Sequence, residues 1–288
     1  MHQLEILDLW NIFYPFATHT EKLANLPLLQ NLFIESNLFT CLGLLNRIIH
    51  PNTTRIEVTS ESITVEGSEV VDASSIQKIA VHLGTRLPRH IRGLTVGYGK
   101  IIAFTPPFNE LVNTNSPPQL QILVNAQTDD ISYENILQSL LQPLPLGHLE
   151  ELKITYPLSR DTCESFFADL KHLKKITNVE YSVGFIDVLS PKTATQPGQN
   201  SPSVPFRALR HLCIEEWDFE DVESEPSNRS TKSCIRRLWK CLKARCKEKG
   251  KLEQLDIDGC IHAGEYEVDT LRKFVNKLEW RENFTSEE

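Results

Sequence analysis

The sequence predicts an α/β fold in which one strand–loop–helix unit is written many times, a solenoid rather than a single layered sheet. Three observations predict it. A six-residue spelling, L-x-x-L-x-L, opens the chain as LEILDL (Leu4–Leu9) and returns as LQNLFI, LEELKI, LRHLCI and LEQLDI, the last at Leu252–Ile257. Its fourth and sixth letters alternate as in a strand with one buried face. The segments between the strands carry apolar residues at helical spacing.

Anchored on the fourth letter, nine units can be counted, at Leu7, Leu32, Ile56, Leu94, Ile122, Leu152, Val179, Leu212 and Leu255. Each has an apolar or aromatic residue two places on: Leu9, Ile34, Val58, Val96, Val124, Ile154, Tyr181, Ile214 and Ile257. Successive anchors lie 25, 24, 38, 28, 30, 27, 33 and 43 residues apart. Leucine-rich repeats run about 20–29 residues with Asn or Cys at the ninth letter, and Asn37 and Cys260 stand there. The fold expected is an irregular leucine-rich-repeat solenoid over residues 1–288. A curved, mostly parallel sheet would line its concave side, with helices on the convex side.

Three helices are expected on that convex side. Ile76–Leu87 places Ile76, Ile79, Ala80, Leu83 and Leu87 on one stripe, and Cys163–Leu173 does so with Phe166, Leu170 and Leu173. Ser233–Lys249 gives Ile235, Leu238, Trp239, Leu242 and Cys246, with Gly250 as its stop. Two stretches without apolar period, 190–205 and 220–232, are expected to be flexible insertions between repeats.

Composition narrows the function classes. The chain has 288 residues, 40% hydrophobic and 24% charged, with a net charge of −8, which argues against general binding to nucleic acid or anionic membranes. No stretch approaches the roughly 20 apolar residues that span a bilayer. The start MHQLEILDLW lacks the pattern of a secretory signal, and the seven irregularly spaced cysteines do not read as a disulfide framework. Cytoplasmic or nuclear residence is the expectation.

Catalytic and metal motifs are scarce. GLTVGYGKI (Gly93–Ile101) misses the phosphate-loop spacing and lacks Ser or Thr after Lys100, so it reads as a strand with a glycine turn. Cys234, Cys241, Cys246, Cys260 and His262 have none of the close ligand pairs of structural zinc. The cysteines read as core residues. No cofactor, metal or catalytic residue is expected.

The register itself points to a binding surface. If letters four and six face inward, letters three, five and seven face outward onto the concave strand surface, the usual recognition face of such solenoids. Asp8, Trp10, Phe33, Glu35, Glu57, Lys153, Glu180, Glu215, Asp256 and Asp258 fall there, mostly acidic, with two aromatics near one end. That composition suits a basic protein partner. A second candidate surface is the basic face of the third helix, with Arg236, Arg237, Lys240 and Lys243. Such a run is a solvated helix face, a docking site for an acidic partner or a nucleic-acid contact.

The C-terminal third carries a resemblance. VPFRALRHLCIEEWDF, then LKARCKEKGKLEQLDIDGC, then EVDTLRKFVNKLEW, together with PLPLGHLEELKI upstream, resembles the leucine-rich-repeat region of fungal F-box-type proteins. The resemblance implies a final helix closing on Trp280. It also implies substrate binding for an SCF ubiquitin ligase, with no catalytic residue in this chain. The helical F-box itself, about 45 residues in that family, has no counterpart before Leu4, so binding of the SCF adaptor is expected only where an F-box is supplied upstream. The competing expectations are a stand-alone scaffold unrelated to ubiquitin and, third, an enzyme with a scattered site.

Overall fold

The structure is a computed structural model that describes residues 3–12, 23–60, 90–105, 118–124, 133–179, 182–190, 204–219, 234–261 and 264–281. The chain divides into two compact units, Met1–Leu149 and Glu150–Glu288. Each is α/β with an open, mostly parallel sheet that does not close into a barrel. The expected helix Ile76–Leu87 and the insertion at 220–232 lie outside the described residues. So does the insertion at 190–205, apart from Ser190, Val204 and Pro205.

In the first unit the strands are β1 (Ile6–Trp10), β2 (Ala24–Asn25), β3 (Asn31–Ser36), β4 (Ile48–Ile49), β5 (Arg55–Ser60), β6 (Gly93–Gly97), β7 (Lys100–Phe104) and β8 (Leu120–Val124). Among the described residues its α-helices are α1 (Leu38–Arg47) and α2 (Tyr133–Leu141). The main sheet runs β1-β3-β5-β8-β7-β6, and β2 pairs with β4 separately. Leu7, Leu32 and Ile56 stand opposite one another in parallel strands, as do Leu9, Ile34 and Val58. From Leu32 onward these residues are buried, each inward side chain contributing about 1.5–3 kcal/mol. The next partner of Ile56 is Leu120, not Ile122, so the fifth anchor sits two residues earlier than the spelling suggested. QLQILV offers two alternating apolar pairs, and only the neighbouring strand decides between them.

The unit around Leu94 departs further from the repeat. β6 and β7 form an antiparallel hairpin, with Leu94 opposite Ala103 and Val96 opposite Ile101, and β7 runs antiparallel to β8. The turn is Tyr98-Gly99, as the glycines suggested. Gly99 has φ +62°, and a Cβ there would lie 2.3 Å from the Val124 carbonyl oxygen. That approach lets the Val124 N–H donate to Gly99 O at 2.6 Å.

Asn37, the ninth letter of its repeat, starts α1. Its side-chain oxygen accepts from the Thr40 N–H at 2.9 Å, satisfying one of the orphan donors at a helix start. Leu38, Cys41, Leu42 and Leu45 then face the core.

The second unit is regular. β9 (Glu151–Thr155), β10 (Lys175–Val179), β11 (His211–Glu215), β12 (Leu252–Asp258) and β13 (Val275–Arg281) lie side by side, all parallel. Between them run α3 (Arg160–Phe166), α4 (Val183–Leu189), α5 (Cys234–Lys249) and α6 (Glu265–Arg272). Two inward ladders cross the sheet: Leu152, Ile176, Leu212, Leu255, Leu278, and Ile154, Asn178, Ile214, Ile257, Trp280. The anchor of the seventh unit is therefore Ile176 rather than Val179, three residues earlier. The inward place two letters on belongs to Asn178, fully buried with neither polar side-chain atom hydrogen-bonded among the described residues.

Two further expectations are corrected. The helix expected over Cys163–Leu173 is α3, which starts at the Ser159 cap and ends at Phe166. Phe167 rather than Phe166 fills the core, and Leu173 reaches the core from the turn before β10. The segment that the resemblance made a final helix is α6 followed by a strand. Trp280 lies in β13 opposite Ile257. VNKLEW is thus a tenth copy of the repeat spelling, with Val, Leu and Trp in the apolar places.

Arg245 holds α5 to the chain that leads into β11. It lies on the same helical stripe as Ile235, Leu238 and Leu242 and is only 3% exposed. Its guanidinium donates to the carbonyls of Pro205 at 2.7 Å and Phe206 at 2.5 Å. Burial pushes its pKa down to about 10, which leaves it a cation at neutral pH. Arg245→Ala would strand both carbonyls and open a cavity, so it should cost about 3 kcal/mol, read from the urea unfolding midpoint. A change below about 0.5 kcal/mol, the scale of ordinary surface substitutions, would show that α5 is held by its apolar stripe alone.

Candidate functional site

The candidate site is the outward strand surface, and the two units present different chemistry there. In the first unit, Asp8 stands opposite Phe33 and Trp10 opposite Glu35. Residues two apart in a strand share a face. These four side chains therefore form a two-by-two cluster on strands about 4.8 Å apart. The Trp10 and Phe33 ring centroids are 4.9 Å apart with planes 37° from parallel. Trp10 is 57% exposed and Ile6, on the same face, 63%. On the next strands Glu57 accepts from Arg55 at 3.2 Å and from the Gln121 amide at 3.1 Å. The sequence-derived positions of Asp8, Trp10, Phe33, Glu35 and Glu57 are thus brought together on one surface.

In the second unit the acidic wall expected from sequence is a charge-balanced ladder. Its outward carboxylates are Glu151, Glu215, Asp256, Asp258 and Glu279, and its fixed cations are Lys153, Lys175, Lys277 and Arg281, with His211 among them. Lys153 reaches across β10 to Glu215 at 2.9 Å. Asp256 accepts on both oxygens, meeting His211 Nε2 at 2.6 Å and the Gln254 amide at 2.8 Å. Arg281 lies 3.5 Å from Asp258 and 3.7 Å from Glu279, which also meets Lys277. Solvent-screened pairs of this kind contribute little each, but they engage most of the charges of this face with one another. Lys175, Lys277, Glu279 and Arg281 were not foreseen. The first was hidden by the wrong register of β10 and the other three by the unrecognised tenth strand. Glu180 lies outside the described residues.

The same geometry governs Cys213, which sits beside His211 on β11. Burial, with the charges of Glu215 and Asp256, pushes its thiol up to about 12, opposite to what a thiolate nucleophile requires. Cys41 and Cys260 are likewise raised by burial, to about 12 and about 11. All seven cysteines are free, and no group of three or more His, Cys, Asp or Glu is placed to hold a metal among the described residues. No helix among those residues is long and apolar enough to cross a membrane.

On α5, Arg236, Lys240 and Lys243 are exposed and Arg237 is half-buried, as the amphipathic spacing required. Lys243 Nζ lies 4.5 Å from the centroid of the Trp239 ring, and Trp239 packs edge-on against Phe274 at 6.0 Å. Lys243 is therefore already engaged within the unit.

The chain was compared with known proteins. No family model, no curated protein and no solved structure matches it.

The cysteine environments set an order of reactivity. At pH 8 the thiolate fractions of Cys41, Cys213 and Cys260 are about a thousandth or less. The half-buried Cys234 and Cys246 should be alkylated by iodoacetamide at least about tenfold faster, measured by peptide mass spectrometry of the native protein. Early labelling of Cys213 would contradict the closed ladder on the second unit.

Proposed function

We propose that this chain is a protein-recognition module whose outward strand surface binds a protein partner. By its resemblance, it is the substrate-binding repeat region of an F-box-type receptor of an SCF ubiquitin ligase. In this reading the two units belong to one leucine-rich-repeat solenoid, the strand surfaces are its concave side, and the ligase adaptor is contacted by an F-box segment. One observation carries the recognition reading. The first unit keeps Ile6 and Trp10 largely exposed on the same face as Asp8 and Glu35, whereas its inward positions from Leu32 onward are filled. Aromatic residues of this kind are the common anchors of protein interfaces.

The partner sought is a protein, and the charge-balanced second unit makes the first unit its principal contact. A photo-crosslinking residue at position 33 should capture a partner from native cells that the same residue at position 247, on α5, does not. Trp10→Ala should weaken binding of that partner by about 2 kcal/mol, or about thirtyfold, without moving the unfolding transition. Equal capture from α5, with Trp10→Ala neutral, would turn the reading toward the basic helix.

A further inference from the structure

We propose that the cluster of Asp8, Trp10, Phe33 and Glu35 is a seat for a cationic side chain, specifically an arginine in an extended basic segment of the partner. The inference rests on the recognition reading above and names the chemistry of what is bound. Each aromatic stands directly across from a carboxylate, Asp8 with Phe33 and Trp10 with Glu35, so rings and acids alternate around a square. A guanidinium is planar, stacks on aromatic faces and presents a fork of donors to carboxylates. It meets both requirements at once when it lies over the rings, where a cation is attracted within about 6 Å of a centroid. The 4.9 Å separation of the two rings gives such a group aromatic surface on both strands.

The neighbouring charges favour this occupant. The fixed cation on the adjacent strand, Arg55, is engaged by Glu57 at 3.2 Å. Glu57 is held in turn by Gln121. A carboxylate-bearing ligand would meet the charges of Asp8 and Glu35, and a purely apolar one would desolvate the Asp8 carboxylate without compensation. The inward partners on β1, Leu7 and Leu9, are half-buried, and Trp10 is 57% exposed. An incoming side chain therefore reaches the rings without displacing core residues.

The test titrates the full chain with a short serine–glycine peptide carrying two arginines. A matched peptide carries citrulline, which keeps the shape and loses the charge. Saturable binding of the arginine peptide is expected, at least about tenfold tighter than that of the citrulline peptide and weaker at higher salt. Trp10→Ala should lower affinity about tenfold, and Asp8→Asn about threefold with a flatter salt dependence. Phe33→Leu, which conserves most of the packing volume on β3, should also weaken binding, and the unfolding transition of each variant guards against loss of fold. Absence of saturable binding, equal affinity for the two peptides, or an unchanged affinity in folded Trp10→Ala would each overturn the proposal. A partner that crosslinks through position 33 while the peptides are not discriminated would leave the recognition reading standing and overturn the cationic occupant. Crosslinks confined to α5 would remove both.

Discussion

Register between parallel strands is the constraint on which everything else in this protein depends. Side chains alternate across a strand, so a slip of one residue would exchange the inward and outward sets along a whole strand. In the second unit the ladder Leu152, Ile176, Leu212, Leu255, Leu278 fixes that choice four times over. Once it is fixed, Lys153, Glu215, His211 and Asp256 have no alternative but to meet one another on the outer face. The ion-pair ladder is a consequence of apolar burial, since half-exposed pairs are too weak to set a register by themselves.

The same constraint explains the contrast between the two units. In the second, outward positions on five adjacent strands supply acids and bases in nearly equal number, and the face is satisfied from within. In the first, β1 and β3 place aromatics and acids side by side, with Trp10 largely exposed among them. A largely exposed tryptophan ring next to carboxylates is an uncommon arrangement for a merely solvated face. The proposed recognition role rests on that local chemistry, and the proposed ubiquitin-ligase role on the resemblance of the C-terminal third.

Much of this was legible in the sequence where apolar letters were unambiguous. Leu7, Leu32, Ile56, Leu152, Leu212 and Leu255 occupy the inward places that their spelling assigns, and Gly250 stops α5 with φ +86°. The spelling misled where composition blurred it. At Leu120–Val124 two apolar pairs compete, at β10 a buried Asn178 stands where an apolar residue is expected, and at β13 Trp280 takes the place of a leucine. The first unit's outward positions were placed correctly because its strands were read in register. The second unit's acidic wall was misread, because Lys175, Lys277 and Arg281 came from the misplaced strand and the missed one. Arg245 was invisible for a different reason: a basic residue in a basic helix reads as solvated unless its position on the buried stripe is noticed.

The register can be measured directly by methyl NMR of the protein with labelled leucine and isoleucine. Leu255 methyls should show strong cross-strand contacts to both Leu212 and Leu278, with Ile257 close to the Trp280 ring and extended-chain carbon shifts over Val275–Arg281. Those contacts would establish the ladder that turns Lys277, Glu279 and Arg281 outward. Helical shifts over Val275–Arg281, with no contact between Leu255 and Leu278, would contradict it and return the second unit's outer face to the acidic surface that its first four strands alone would present.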